Sequence, residues 1–517
     1  MMKKYYYLLG FFVVLISILF TCTIVANEPS NGLKIVGPVP VTSESYPFNG
    51  ADHSVVPQNI GSSNYIEEEY FVSGKANVYD YDAAGKVIIK HADAPYTTRI
   101  LVRRPADQSR FSGNVVLELN NPTKMFDMDL QWMFCRDFFI ENGDIWVGVT
   151  VKPVALKALK KFNPERYKSL SMDNPASLNE RCEIKTSTLN DTTKETENGL
   201  VWDMVSQIGK LLKGREDTTN PLKGYDVKYL IATGYSQTGG YLTTYINLIH
   251  PLDTAKMADG KPIFDGYMIG DGDAFMVPIN QCVDAVPPGE TGVRIKPRGV
   301  PVISVVTQGL LNSTIIARRP DSDEPADRFR RYEIPGAAHV NKKSMDNSPN
   351  SADSAKAGVP DTVSKCEGID QYGVTDFPLE FFMNSAYQNL YAWIRSGTPP
   401  PKAEPIVTER AADKNGIIIK LDEYGNALGG VRHPYVEAPV ATYFGNSRAM
   451  DRASAFFCSL AGYKAPFDGE KIKSLYPAKE DYLKKVYDVT DKLVEERFLT
   501  ESDGERIKIA TKDVNGW

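Results

Sequence analysis

The sequence predicts an α/β fold: a mostly parallel sheet flanked by helices, with a polar insertion and a C-terminal extension. Three observations predict it. Apolar runs of strand length alternate with segments of helical spacing. One of these runs ends in Gly-Tyr-Ser-Gln-Thr-Gly-Gly, residues 234–240, just before a helical segment. A histidine, His339, stands directly beyond the last strand of the series.

In chain order, residues 27–70 are rich in Pro, Ser, Asn and Gly and read as an extended lead-in. Strands are expected at 71–79, 98–103, 114–119 and 144–151, with apolar residues at helical spacing over 127–140 between the last two. Strand, helix, strand is the signature of a parallel pair with a covering helix. A stretch rich in Asn, Ser, Thr and Lys, 158–195, reads as an insertion over the sheet's carboxyl edge. Helical spacing returns at 200–212, a strand follows at 227–233, and the helix after the serine should carry 241–248. Three more strand-like units occupy 264–270, 300–306 and 329–334. The core is therefore placed at 71–345. The remainder, 346–517, is a C-terminal region packed on the core or completing it. It has a helix over 380–394 stopped by Gly397 and a proline run, a strand at 416–421, and helices near 480–487 and 489–495.

Composition narrows the function. The chain has 517 residues, 42% of them apolar, and a net charge of -6 with both signs interspersed. That suits large cores and offers no basic block for nucleic acid. Lys3 and Lys4 precede an apolar run over residues 5–20, and small residues lie near Ala26. We read 1–26 as a secretory signal peptide, which places the mature protein outside the cytosol, secreted or periplasmic, with no stable membrane span after cleavage. A retained anchor suits the short run less well, and a lipidated Cys22 suits the bulky Phe20 less well. Five cysteines remain, at 135, 182, 282, 366 and 458. Their wide spacing excludes a thiolate zinc knuckle and allows one or two bridges, with at least one thiol left over; it does not reveal the pairing.

The chemistry centres on Ser236. A serine on a sharp strand-to-helix turn is a nucleophile elbow, where small neighbours are needed to avoid the helix and the next strand. Gly234 stands two residues before it, but Thr238 stands where a second glycine is usual. A serine needs a base, and the base an orienting acid. Of the five histidines, His339 follows the last strand and is the expected base, with His433 a second candidate. No acid follows the 300–306 strand, where Thr307 to Leu310 stand. Asp321 or Asp323 is therefore the expected acid, with Asp271 and Asp273 as alternatives. Glu333 reads as a salt-bridge partner for nearby arginines. Oxyanion donors are expected at the backbone N–H groups of Gln237 and of Asn121, in the loop after the 114–119 strand.

The stretches Gly-Tyr-Ser-Gln-Thr-Gly (234–239), Arg-Arg-Pro-Asp-Ser-Asp (318–323), Arg-Tyr-Glu-Ile-Pro-Gly-Ala-Ala-His (331–339) and Asp-Glu-Tyr-Gly-Asn-Ala-Leu-Gly-Gly-Val-Arg (422–432) resemble the α/β-hydrolase superfamily. More narrowly, they resemble the large secreted and bacterial "alpha/beta hydrolase domain-containing" proteins. The resemblance spans roughly residues 70 to 510. It implies the α/β-hydrolase fold, Ser236 as nucleophile, His339 as base and a preference for carboxylic esters. Members often carry an acid directly after the strand matching 300–306; Gln308 and Leu310 stand there in this chain.

The expected function is thus a secreted serine hydrolase that cleaves small-molecule or glycan-linked carboxylic esters through an acyl-serine intermediate. It calls for no metal and no organic cofactor. An amidase or peptidase on the same scaffold is one alternative. A non-catalytic binding protein with a degenerate triad is another, favoured by the missing acid. The insertion is too polar for a lipase lid. The oligomeric state is left open.

Overall fold

A computed structural model describes residues 32–185, 193–214, 219–284, 293–359, 361–411 and 416–517. The expected signal peptide and Cys22 lie outside the described residues, as does part of the insertion, 186–192.

Ten strands form one sheet: β1 (Lys34–Val36), β2 (Tyr65–Tyr81), β3 (Val87–Pro105), β4 (Asn114–Asn120), β5 (Ile145–Thr150), β6 (Tyr229–Tyr235), β7 (Gly266–Gly270), β8 (Val302–Thr307), β9 (Ser322–Glu324) and β10 (Asp327–Ile334). Their spatial order is β1-β2-β3-β5-β4-β6-β7-β8-β10-β9. The six strands from β5 across to β10 are parallel, while β1, β2 and β3 are antiparallel and β9 closes the far edge antiparallel to β10. The central strands are buried along their whole length, as Val-Val-Leu in β4 and Val-Ile-Ser-Val-Val in β8 require of a parallel sheet covered on both faces.

Alternation along β4 divides the core in two. Val115, Leu117 and Leu119 enter a cluster with Trp202 and Ile208 of α3 (Val201–Lys213) and Leu242 of α4 (Gln237–Thr244). Val116 enters the opposite cluster with Trp132 and Phe139 of α1 (Leu130–Asn142) and with Leu390 of helix Leu379–Ser396. Residues beyond 345 therefore supply part of the second covering layer. Glu118 Oε1 and Oε2 accept from the backbone N–H groups of Gln131 and Trp132 at 2.8 and 3.1 Å, which anchors the start of α1 to β4.

Several expectations are corrected. The lead-in is not separate from the sheet: residues 34–36 pair with β2, and β2 and β3 form a hairpin of 17 and 19 residues, far longer than 71–79 and 98–103. Polar residues on the outward faces hide these strands from a hydrophobicity count. The insertion begins inside a helix, Pro153–Phe162, whose Ala158 and Leu159 are buried beneath exposed lysines. The strand expected at 416–421 is present as Ile417–Ile419, paired with Thr408–Arg410 in a ribbon separate from the main sheet. The two helices expected at 480–487 and 489–495 are one, Lys479–Glu495, because the Thr490 hydroxyl bonds back to the Val486 carbonyl at 2.7 Å and the helix runs on. Helix Glu501–Thr511 follows it.

Cys182 is bridged to Cys282 and Cys366 to Cys458, and Cys135 is a buried thiol. Among the described residues, no helix is long and apolar enough to cross a membrane, and no group of three or more His, Cys, Asp or Glu side chains is placed to hold a metal.

Candidate active site

Ser236 lies between the last residue of β6 and the first of α4, with φ 57° and ψ −121°. A non-glycine residue in that region carries about 1–3 kcal/mol of strain. The neighbours hold it there. Its N–H donates to the Gly270 carbonyl at the end of β7 (2.8 Å), and its carbonyl accepts from Gly240 N–H in α4 (3.2 Å). A Cβ on Gly234 would lie 2.5 Å from the Thr238 carbonyl oxygen, so that position has no room for a side chain. Thr238, in place of the usual glycine, is buried, and its hydroxyl bridges Tyr235: it accepts from the Tyr235 N–H and donates to its carbonyl, both at 3.1 Å.

His339 lies in the turn beyond β10 and is buried. Its Nδ1 is 2.5 Å from Asp271 Oδ2. The carboxylate only accepts, so Nδ1 carries the proton and Nε2 is the basic nitrogen. Tyr235, the residue before Ser236, ties this turn to the elbow. Its hydroxyl donates to the His339 carbonyl (2.9 Å), and its ring lies 4.9 Å from the imidazole, centroid to centroid.

The carboxylate that meets His339 is thus Asp271, the residue after β7, and not Asp321 or Asp323. Those two are displaced for a topological reason. Edge strand β9 pairs Asp323 with Arg328, at the start of β10, six residues before its end. That is about 20 Å from the His339 end at a rise of about 3.3 Å per residue. Asp323 pairs there with Arg330 and Lys402, and Asp321 accepts from the Arg331 N–H. Asp273 accepts from Ser304 Oγ (2.9 Å) and pairs with Arg331 (2.8 Å), so it too is engaged away from His339. Glu333 pairs with Arg318 and Arg331, as its surroundings predicted.

Asp271 is wholly buried with φ 46°. Its N–H donates to the Val305 carbonyl (2.7 Å); Oδ1 accepts from Thr307 N–H (2.9 Å) and Oδ2 from the Thr307 hydroxyl (2.6 Å). Thr307 ends β8, where the sequence lacks an acid; it supplies donors to an acid that stands at the end of the neighbouring, preceding strand β7 instead. Sequence reasoning missed both Thr307 and Tyr235. The available signal was a threonine at the strand end, which is unremarkable by itself.

Asn121 does not offer its backbone N–H. That group donates to the Met128 carbonyl (2.7 Å), and the Asn121 amide donates to the Tyr235 carbonyl (2.7 Å). Asn121 therefore braces the strand end before Ser236. Gln237 is the first residue of α4, so its N–H lies at the positive end of the helix dipole, beside Ser236.

His433 is placed elsewhere. It is wholly buried against Phe377, Phe381 and Phe382, its Nδ1 accepts from the Tyr435 N–H (3.1 Å), and burial pushes its pKa down to about 3. His250 is held by the Tyr267 hydroxyl (2.7 Å), with its pKa lowered to about 4 by burial and by Arg298. A cavity of about 490 Å³ opens on the C-terminal region among Phe381, Tyr435, Tyr443 and Phe467, and none of Ser236, His339 and Asp271 lines it.

Solved structures with similar chain traces include Thermogutta terrifontis esterase 2 phosphoramylated by tabun, with 8% identity and a TM-score of 0.27 over 50% of this chain and 82% of that one. They also include esterase Est22, at 11% and 0.27 over 59% and 80%, and esterase B from Lactobacillus rhamnosis, at 9% and 0.26 over 52% and 74%. No curated protein matches. The family described as "Alpha/beta hydrolase domain" matches residues 35–508, nearly the whole chain and all ten strands but the first residue of β1. With its mostly parallel sheet and covering helices, the chain belongs to this alpha/beta hydrolase domain family.

Proposed function

We propose that the protein is a serine hydrolase of carboxylic esters in which Ser236 is the nucleophile, His339 the base and Asp271 the orienting acid. The observation that carries this reading is the 2.5 Å contact between His339 Nδ1 and Asp271 Oδ2, tied through Tyr235 to a serine held at φ 57°. In the proposed cycle Ser236 Oγ attacks the ester carbonyl carbon while His339 Nε2 takes its proton. The Gln237 N–H stabilises the oxyanion. The tetrahedral intermediate collapses with cleavage of the bond to the alcohol oxygen, which receives the proton from His339. Water, deprotonated by His339, then attacks the acyl-serine, and the carboxylic acid leaves as Ser236 is reprotonated. Asp271 holds the imidazole in the tautomer that keeps Nε2 basic.

The missing acid after β8 was the main support for a non-catalytic reading. Asp271 removes that support, because an acid from β7 meets His339 instead. The two disulfides support export to an oxidising compartment, in keeping with the proposed signal peptide.

A burst of 4-nitrophenol from 4-nitrophenyl acetate tests the reading. Wild type is expected to release about one equivalent per Ser236, and Ser236→Ala to lose the burst and at least about 10⁴-fold of the rate. A rate that survives Ser236→Ala would sink the proposal.

A further inference from the structure

We infer that a stack of aromatic rings beside the His339 turn receives the alcohol portion of the substrate, and that this alcohol carries a flat aromatic ring. The inference rests on the ester-hydrolase reading above and deepens it.

The rings stand on a small hairpin, Ala441–Phe444 paired with Tyr463–Pro466. This hairpin abuts the His339 turn directly. Val340 N–H donates to the Leu460 carbonyl (2.9 Å), and a Cβ on Gly462 would lie 2.8 Å from Ala338 Cβ. Gly445 meets Gly309 so closely that a Cβ there would lie 2.6 Å from the Gly309 nitrogen, and Gly309 N–H in turn bonds the Ala337 carbonyl (3.1 Å).

Alternation on the first strand buries Tyr443 and turns Phe444 outward, 36% exposed. Phe444 stacks on its cross-strand partner Tyr463, with centroids 4.3 Å apart and planes within 10°. Tyr463 stacks in turn on Tyr372, 6.1 Å away and within 8°, and Tyr372 is 44% exposed. Gly368 makes room for this, since a Cβ there would lie 2.5 Å from the Tyr463 ring. The Cys366–Cys458 bridge fixes the turn that carries Gly368 and Tyr372 to helix Ala455–Leu460, which itself packs on Gln308–Leu310 at the end of β8. Three parallel rings are thus braced and left partly in water.

The reaction direction selects the occupant. His339 must protonate the departing alcohol oxygen, so the alcohol lies on the histidine side of Ser236 and the acyl group on the other. The hairpin that carries the stack is the one that abuts the His339 turn. Aligned ring faces and edges reward a flat ring offset against them over an aliphatic ring of similar size.

The test compares ethyl, cyclohexylmethyl and benzyl acetates, which share one acyl group, in wild type, Phe444→Leu and Tyr372→Ser. Wild type should prefer benzyl over cyclohexylmethyl acetate about five-fold in kcat/KM. Both variants should bring this ratio towards one; Tyr372→Ser changes an exposed side chain and so guards against loss of folding in Phe444→Leu. A wild type with Ser236-dependent ethyl acetate hydrolysis but no benzyl preference, or variants that keep the preference, would overturn this inference alone. Hydrolysis of none of the three, with no burst from 4-nitrophenyl acetate, would overturn the esterase reading with it.

Discussion

At the scale of single residues, Asp271 Oδ2 accepts both His339 Nδ1–H and the Thr307 hydroxyl, at 2.5 and 2.6 Å. This concentration of donors is what a wholly buried carboxylate needs. Asp271→Asn should lower kcat/KM by about 10³–10⁴-fold, because the amide no longer fixes the imidazole tautomer. Asp321→Asn and Asp323→Asn should stay within about three-fold of wild type in the same assay. Similar losses in all three variants would return the acid to the sheet edge. Thr307 acts through Asp271, and Thr307→Val tests it as a positioning residue. Without the hydroxyl donor, Asp271 is less firmly held against His339, so kcat should fall about ten-fold with KM little changed, and Thr307→Ser, which keeps the donor, should restore it. A loss that Thr307→Ser does not restore would reduce Thr307 to a packing role.

Among elements, the decisive contact is between α4 and the loop after β7. A Cβ on Gly272 would lie 2.2 Å from the Ser236 carbonyl oxygen and 2.9 Å from Gly239 Cα, so the Ser236 turn and the Asp271 loop meet backbone to backbone. Gly272→Ala must push the two apart. It is expected to cost about 1–3 kcal/mol by chemical denaturation and to lower kcat more than it raises KM. An unchanged kcat would show that the loop can yield without moving Asp271. The helix after Ser236 and the strand before it were legible in the sequence, since periodicity and glycines mark both. The length of the β2–β3 hairpin was not, because its outward residues are polar. Nor was the fusion of the two C-terminal helices, because Asp488 and Thr490 resemble a break until Thr490 is seen to bond within the helix.

For the whole molecule, two buried neutral histidines link stability to acidity. His433 and His250 have folded-state pKa values of about 3 and about 4, below the value of about 6.5 for an unfolded chain. Their contribution is fully present above pH 6.5 and is lost as pH falls, down to about 4 for His250 and about 3 for His433. The slope is about 1.4 kcal/mol per pH unit for each. His433→Asn keeps an acceptor for the Tyr435 N–H, and it should lower stability at pH 7 while removing one such slope between pH 6 and 4.5 in urea titrations. An unaltered slope would mean that His433 is already protonated in the fold. By itself, the sequence determined the alternation of strands and helices, the elbow at Ser236 and the histidine beyond the last strand. Each of these is written in local spacing and turn chemistry. It could not determine which acid meets His339, which cysteines pair or where Asn121 spends its N–H. Those depend on strand order: placing β7 beside β8 brings Asp271 to His339, while the antiparallel β9 pairs Asp323 with Arg328 at the far end of β10 and Asp321 is held on the Arg331 N–H midway along it.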